Sequence, residues 1–362
     1  MMSCKVMSCW GNMISEKLFG RVTVFALFLA TGHYILLGIE HTLTKDHISG
    51  TDHISRLMDG CSDQKFVLIF SYERSGSSFL GAAMDQHPSI FYVYEPLNPQ
   101  VQKEMKFPRR NNISDKWLEL EADVYRQVQL CKLDQLPEEI DIMRYPILHT
   151  PHPEYPDVYM EGFTKCMTNS EMNPFGINKT DFCIQSVLGL CKSRLVVLAK
   201  EVRGTMEGFT RFVQRLNCSD NVKVIHLLRD PRGEINSRFK TEWTKFPSYS
   251  LVAQQEFISS LCGRMLKDIR IRRELENKYP DMFMQLKYED VTKNPIQTFE
   301  ALMEFIGLPF YPYHKKMLGL KSKNSSVHLW KNTLKRSLVR DIDERCSGLY
   351  DELGYQKQIN RL

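Results

Sequence analysis

The chain has little of what marks the specialised protein classes. Ten cysteines in 362 residues are too few for a fold built on a cysteine framework. No two cysteines stand as Cys-x-x-Cys and none is spaced with histidine as a zinc ligand set, so no metal site is expected. Charge of one sign is scarcely in excess, with 48 basic residues against 43 acidic ones. The resulting +5 does not describe a nucleic-acid binder, although it leaves room for an anionic ligand at one local site. No Gly-Lys-Ser/Thr ending closes a loop, which disfavours nucleoside triphosphate hydrolysis. No nucleophile elbow with ordered His and Asp partners appears either. A hydrophobic share of 43% with 25% charged residues is ordinary globular composition and excludes disorder and collagen-like repeats. The length suggests about two domains, or one large α/β domain with appendages.

What is present begins with an apolar run, Val22 to Ile39 (VTVFALFLATGHYILLGI), without a formal charge. At about 1.5 Å per residue it just spans a hydrocarbon core of about 30 Å. Lys5, Lys17 and Arg21 stand before it against Glu16 alone, whereas Glu40, Lys45 and Asp46 follow. The positive-inside bias therefore predicts a cytoplasmic tail over 1–21, an uncleaved signal anchor over 22–39 and everything later on the lumenal side. A cleaved signal peptide would have a shorter apolar region ending in small residues, which His33-Tyr-Ile-Leu-Leu does not offer. Residues 40–62 are polar, contain the near-duplication KDHISGTDHIS, and read as a stem; the folded domain is expected over 63–362. On the lumenal side four sequons become usable, at Asn112, Asn178, Asn217 and Asn324. The eight cysteines beyond the anchor could form up to four bridges, with their pairing open.

From Phe66 the pattern changes to short, continuous apolar runs, the mark of strands buried on both faces. They recur at Ile90–Tyr94, Leu195–Ala199 and Val222–Leu228, with a weaker run at Met282–Tyr288. Helical spacing lies between them, at Ser78–Gln86, Thr205–Leu216, Gly233–Trp243, Val252–Lys278 and Pro295–Ile306. Such alternation predicts an α/β fold: a P-loop-like parallel sheet flanked by helices. The stretch 97–180 is rich in Pro, Asn and charge, and is expected to be a long insertion carrying substrate contacts.

Two strand-to-helix joints carry the chemistry. In the first, FVLIFSYERSGSSFLG, a buried strand runs into a loop of Arg74, Ser75, Gly76 and Ser77, and a helix opens near Ser78 and Phe79. That geometry points unpaired backbone N–H groups and the positive end of a helix dipole at one spot, suited to phosphate or sulfate, with Arg74 able to grip the anion by two hydrogen bonds. The plainer alternative is a turn plus a helix cap. In the second, VKVIHLLRDPRGEINSR, Asp230 is the expected N-cap and Pro231 the first helical residue, which puts Arg229 at the strand's carboxyl end and Ser237 about two turns into the helix. Ligands of parallel sheets gather at the carboxyl ends of strands, so both joints should face one crevice.

Together these segments resemble the 5′-phosphosulfate and 3′-phosphate binding motifs of sulfotransferases that use 3′-phosphoadenosine-5′-phosphosulfate. More narrowly, RSGSSFLG, HPSIFYVYEP and VIHLLRDPRGEINSR are similar to the Golgi carbohydrate 6-O-sulfotransferases acting on galactose, N-acetylglucosamine or N-acetylgalactosamine. LAKEVR (198–203), LKYEDVTKNPIQTFEALMEFIGL (286–308) and the tail WKNTLKRSLVRDIDERCSGLYDELGY (330–355) fit that family too. The resemblance implies the sulfotransferase fold in a single-pass type II Golgi membrane protein, with this nucleotide as donor, no metal, and a glycan or glycosaminoglycan acceptor. It places Arg74, Ser75, Gly76, Ser77, Ser78 and Phe79 at the 5′-phosphosulfate and Arg229 with Ser237 at the 3′-phosphate. More distant sulfotransferases commonly carry lysine where Arg74 stands. Whether Arg74 protonates or merely steadies the leaving oxygen stays open, since arginine remains protonated throughout.

A sugar hydroxyl has a very high pKa, so a base must take its proton as the S–O bond forms. Glu95, directly after the run Ile90–Tyr94, is the expected base, the alternative being that it binds a nearby arginine. Glu73 is nearer the donor loop, but a carboxylate there would be repelled unless it paired with an arginine. His87 is expected to close the first helix and His226 to be a core histidine. Lys200, Glu201 and Arg203 could touch donor or sugar, or form an internal ion pair. The basic clusters Lys103–Arg110 and Lys315–Lys323 are secondary acceptor-site candidates. Competing functions are a catalytically inactive, membrane-tethered glycan-binding protein and an ATP-dependent P-loop phosphotransferase. Oligomeric state is not encoded, a homodimer being one option.

Overall fold

Strands form where the apolar runs stand. The computed structural model describes residues 63–97, 113–136, 166–167, 179–241, 246–321 and 327–358. Five strands lie among these residues: β1 (Lys65–Phe70), β2 (Ile90–Tyr94), β3 (Val196–Glu201), β4 (Val222–Leu228) and β5 (Phe283–Lys287). Every pairing is parallel, in the order β2-β3-β1-β4-β5. Alternate side chains of the central strand β1 enter two separate cores, as the two-residue period of a strand requires. Phe66, Leu68 and Phe70 join one layer; Val67 and Ile69 join the other. All five are fully buried, and burying each is worth about 1.5–3 kcal/mol.

β3 continues two residues beyond its expected end at Ala199. Lys200 and Glu201 stay in register with Ile69 and Phe70 of β1, and both are buried. Charged residues end a strand pattern on paper, but here each meets partners supplied by other segments.

The helices anticipated between strands are α1 (Ser77–Met84), α4 (Met206–Gln214), α5 (Pro231–Phe239), α6 (Leu251–Lys278) and α8 (Pro295–Ile306). Asp230 caps α5 through the Arg232 N–H, with Pro231 at the first helical position, where its missing N–H is no loss. Helices α2 (Asp115–Gln129), α3 (Lys179–Lys192), α7 (Tyr288–Lys293), α9 (Pro312–Lys321), α10 (Trp330–Thr333), α11 (Arg336–Arg345) and α12 (Ser347–Leu353) complete the described α-helices, and Leu133–Gln135 and Phe246–Ser248 form short 3-10 turns. Part of the expected 97–180 insertion is therefore ordered core: α2 buries Trp117, Leu118, Val124, Tyr125 and Val128 in the same layer as Phe66. Arg211 of α4 and Arg215, its C-cap, form a ladder of ion pairs with Asp115, Glu119 and Asp123 of α2. Being largely exposed, these pairs set register more than stability.

Three disulfides join described residues, Cys131–Cys191, Cys166–Cys183 and Cys262–Cys346, each worth about 3–5 kcal/mol on a chain-entropy account; Cys218 is disulfide-bonded as well. The Cys262–Cys346 bridge joins α6 to the turn between α11 and α12. Asn217 is exposed, whereas Asn112, Asn178 and Asn324 lie outside the described residues. No helix among the described residues is long and apolar enough to cross a membrane, and the 1–62 tail, anchor and stem also lie outside them.

The start of α4 rests on a buried acid. Glu121 of α2 is fully buried and receives hydrogen bonds from the Thr205 N–H (2.6 Å), the Thr205 hydroxyl (2.9 Å) and the Tyr125 hydroxyl (3.0 Å). Only glycine fits beside it, since a Cβ on Gly208 would sit 2.3 Å from Glu121 Oε2. Burial pushes the Glu121 carboxyl up to about 8. On protonation the side-chain bond between Glu121 and Thr205 reverses, Oε2 then donating to the Thr205 oxygen, which also accepts from the Gly208 N–H. The folded state thus holds a proton that the unfolded chain releases near its ordinary value of 4.5. This contribution to stability is complete below about pH 4.5 and is lost as pH rises through about 8. Denaturant unfolding across that window should show stability declining with pH, and Glu121→Gln should flatten the decline; an unchanged slope would contradict the assignment.

Candidate active site

The carboxyl ends of β1 and β4 bring the two joints together. The β1 loop turns through Arg74 and Gly76, whose φ angles are 71° and 93°. For arginine this left-handed conformation costs about 1–2 kcal/mol, a strain carried in the loop itself. A turn bond from the Ser75 N–H to the Tyr72 carbonyl (3.1 Å) closes it. Gly76 is the N-cap of α1, and no side chain caps that helix. The first-turn N–H groups at Ser77 and Ser78 therefore lack the partner that a capping hydroxyl provides. Ser75 is fully buried, and its hydroxyl has no hydrogen-bond partner among the described residues. Phe79 is half-buried and packs edge-on against Phe299 of α8, so it supports the loop from behind.

Arg74 joins the two segments directly. Its Nε donates to the Ser237 hydroxyl at 3.0 Å, and its carbonyl accepts from Arg229 Nη1 at 2.8 Å. Arg229 is 5% exposed and lies over the Tyr288 ring, 4.4 Å from its centroid. The same ring fills the space beside Gly76, where a Cβ would come within 2.3 Å of it. Burial and the neighbouring Arg238 and Arg229 guanidinium groups press the Arg74 pKa below its ordinary value. Like charges gathered in a half-buried space are costly alone and favourable around an anion. A dianionic phosphate or sulfate group suits this place.

Arg238 has acidic neighbours. It donates to Glu73 Oε2 (2.8 Å), to the Glu73 carbonyl (3.2 Å) and to Glu234 (3.3 Å). Glu73 in turn meets Arg203 at 3.2 Å. The carboxylate beside the loop is thus neutralised by two arginines, the condition under which an anion can approach it. Burial raises the Glu234 carboxyl to about 7, with Arg238 opposing the rise.

Glu95 stands on the same rim, just past β2, with φ of 43°. It is 6% exposed and paired with both Lys200 and Arg203. Although burial disfavours its charge, these two cations hold its carboxyl down at about 2. Lys200 also lies over the Tyr94 ring at 4.0 Å. Glu201 points into the loop instead, accepting from the N–H groups of Leu97, Val202 and Arg203. Helix α6 braces both turns from below: Arg264 donates to the carbonyls of Val202 and Gly204, and Asp268 accepts from the Met206 N–H and the Tyr72 hydroxyl.

The residues 67–312 match a family model described as the sulfotransferase family. The chain belongs to that family. Its sequence is similar to carbohydrate sulfotransferase 1 of Danio rerio, at 26% identity over 346 residues, covering 83% of this chain and 79% of that one. It is also similar to carbohydrate sulfotransferase 5 of Mus musculus, at 24% identity with 84% of each chain covered. Carbohydrate sulfotransferase 3 of Mus musculus matches at 23%, over 88% of this chain and 74% of that one. Among solved structures, the sulfotransferase domain from the curacin biosynthetic pathway superposes with a TM-score of 0.45 and 15% identity, covering 81% of this chain and 98% of that one.

In this sulfotransferase the structure brings together Arg74, Ser75, Gly76, Ser77, Ser78, Arg229 and Ser237, and sets Glu95 apart from them across Arg203 and Glu73. His226 is a buried core group, 3.3 Å from the Tyr72 hydroxyl, and the His87 N–H closes α1 on the Met84 carbonyl. Of the basic clusters, Lys103–Arg110 lies outside the described residues, and Lys315 pairs with Glu300 at 3.3 Å. Sequence reasoning assigned no role to Arg238 or Tyr288. Arg238 had one signal, its i,i+4 spacing from Glu234. Tyr288 had none, because its place between Gly76 and Arg229 depends on β5 pairing with β4.

Gly76→Ala should lose about 1–3 kcal/mol of stability from overpacking against Tyr288, beyond the strain of a left-handed alanine. Chemical denaturation measures it, and a loss under 0.5 kcal/mol, the size of an ordinary surface change, would contradict the packing.

Proposed function

We propose that the protein transfers a sulfuryl group from 3′-phosphoadenosine-5′-phosphosulfate to the 6-hydroxyl of galactose, N-acetylglucosamine or N-acetylgalactosamine in a glycan, as a single-pass Golgi membrane enzyme with its catalytic domain in the lumen. The observation that carries the proposal is the meeting of Arg74 with Ser237 and Arg229, which joins two anion sites on one rim. The uncapped start of α1 and the unpartnered Ser75 hydroxyl fit an anionic donor at that rim. Family membership and relatives named as carbohydrate sulfotransferases support both the reaction class and a sugar acceptor. The three disulfides support an oxidising compartment, and the 22–39 run supports the anchor.

When bound, the donor supplies an already activated sulfuryl group, so the protein's task is positioning and charge stabilisation. Arg74 and the N–H groups at Ser77 and Ser78 hold the 5′-phosphosulfate and stabilise charge on the departing phosphate oxygen. Arg229 and Ser237 hold the 3′-phosphate. Glu95 takes the proton of the sugar hydroxyl. In the resting protein Lys200 and Arg203 keep it ionised but weakly basic, so strong basicity requires those cations to loosen as the acceptor docks.

Labelled donor incubated with the full-length chain and desulfated keratan, chondroitin and N-acetylglucosamine-terminated glycans tests the reading. Label appearing in a glycan supports it. Glycan binding without transfer selects the inactive binding protein, and label transferred from ATP selects a phosphotransferase. Arg229→Ala should raise the donor KM about 10- to 100-fold, the loss of a charge-assisted contact, and an unchanged KM would remove Arg229 from the donor site. Glu95→Gln should lower kcat about 10²- to 10⁴-fold while calorimetry finds the affinity for adenosine 3′,5′-bisphosphate unchanged. Near-normal turnover would eliminate Glu95 as base.

A further inference from the structure

The carboxy-terminal segment holds the Arg229–Asp230 turn at two points. Tyr355 donates its hydroxyl hydrogen to Glu289 Oε2 at 2.9 Å, and Glu289 Oε1 accepts the Asp230 N–H at 3.1 Å. One residue before Glu289, the Tyr288 ring lies against the Arg229 guanidinium. The second hold is Arg232, which grips the Asp230 carboxylate with Nε (2.9 Å) and Nη2 (2.8 Å) and donates from Nη1 to the Gln356 carbonyl at 3.0 Å. Its guanidinium lies 4.3 Å from the Trp330 ring centroid and 4.9 Å from that of Tyr350. The Asp343 carboxylate, which accepts from the Gln358 N–H at 2.6 Å and from Arg232 Nη1 at 3.3 Å, anchors the end of the segment. None of the holding groups is Arg74, Arg229 or Ser237: Glu289 and Arg232 fasten Asp230, and Tyr355, Asp343 and the Gln356 carbonyl fasten Glu289 or Arg232.

We infer that Tyr355, acting through Glu289, is a positioning residue that orients the Arg229 turn and thereby sets donor affinity without touching the donor. The inference rests on the donor-site reading above. Glu289 spans two chain segments and uses one oxygen for each. Removing the Tyr355 hydroxyl leaves the second oxygen unsatisfied in a largely enclosed place, and the carboxylate then turns away from the Asp230 N–H to find a partner. The Tyr355 ring keeps its contacts with Tyr350 and Lys287, so Tyr355→Phe removes the relay and leaves the packing.

The test is calorimetric titration of the full chain with adenosine 3′,5′-bisphosphate, together with steady-state kinetics. Tyr355→Phe should weaken binding about fivefold, the factor for one net hydrogen bond, with kcat at saturating donor unchanged. Glu289→Gln keeps an oxygen for the Asp230 N–H and an N–H for the Tyr355 oxygen, and should bind within twofold of the natural chain. In an Arg229→Ala background the Tyr355→Phe effect should shrink below twofold, a coupling that general destabilisation would not produce. Equal affinity of Tyr355→Phe and the natural chain would overturn the inference, as would a fivefold effect that persists without Arg229. A natural chain that takes up no bisphosphate would instead sink the donor-site reading itself.

Discussion

Positive charge gathered at the carboxyl rim of the sheet is the constraint around which this protein is organised. Arg74, Arg229 and Arg238 are brought close enough that burial and mutual repulsion lower the affinity of Arg74 for its own proton. A fold tolerates that only where carboxylates, hydroxyls and aromatic faces divide the load. Glu73 and Glu234 serve Arg238, the Ser237 hydroxyl serves Arg74, and the Tyr288 ring lies against Arg229. What acids do not neutralise at Arg74 is the capacity to hold an anion. The left-handed backbone at Arg74 belongs to the same arrangement, because it turns the carbonyl toward Arg229 while the side chain reaches Ser237.

A second consequence is the alternation of charge along the rim. Lys200, Glu95, Arg203, Glu73, Arg238 and Glu234 follow one another as cation and anion, linking the end of β2 to the body of α5. Glu73 is half-buried and the other members are buried, so removing any one leaves its neighbours with an uncompensated charge in a poor dielectric. Helix α6 adds bracing through Arg264, which donates to two loop carbonyls, and Asp268, which accepts from the Met206 N–H and the Tyr72 hydroxyl.

Much of the scaffold was legible before any coordinates. β2 and β4 begin and end where their apolar runs do, because a strand buried on both faces admits no polar interruption. Asp230 and Pro231 marked the start of α5 by chemistry that is local to the backbone. Glu73 was recognisable as tolerable only beside an arginine, and it has two. Other features were not legible for a common reason. The last two residues of β3 are charged, and their inclusion in the sheet depends on Glu95 and on the Leu97 N–H, both far away in sequence. Helix α2 was hidden in a stretch dominated by polar residues, its core side exposed only by what α4 presents to it. The pairing of the cysteines was open for the same reason.

The chain's own order of residues determined where strands stop and helices start, and that two loops rich in small or cationic residues would follow buried strands. Those are short-range matters, settled by side-chain period, caps and the missing N–H of proline. Only the tertiary structure decided that Arg74 would meet Ser237, that Tyr288 would lie between Gly76 and Arg229, and that the carboxy-terminal segment would fasten the Asp230 turn. Each of those contacts joins residues more than fifty positions apart, and the parallel register of β1 with β4 and of β4 with β5 is what brings them within hydrogen-bonding reach.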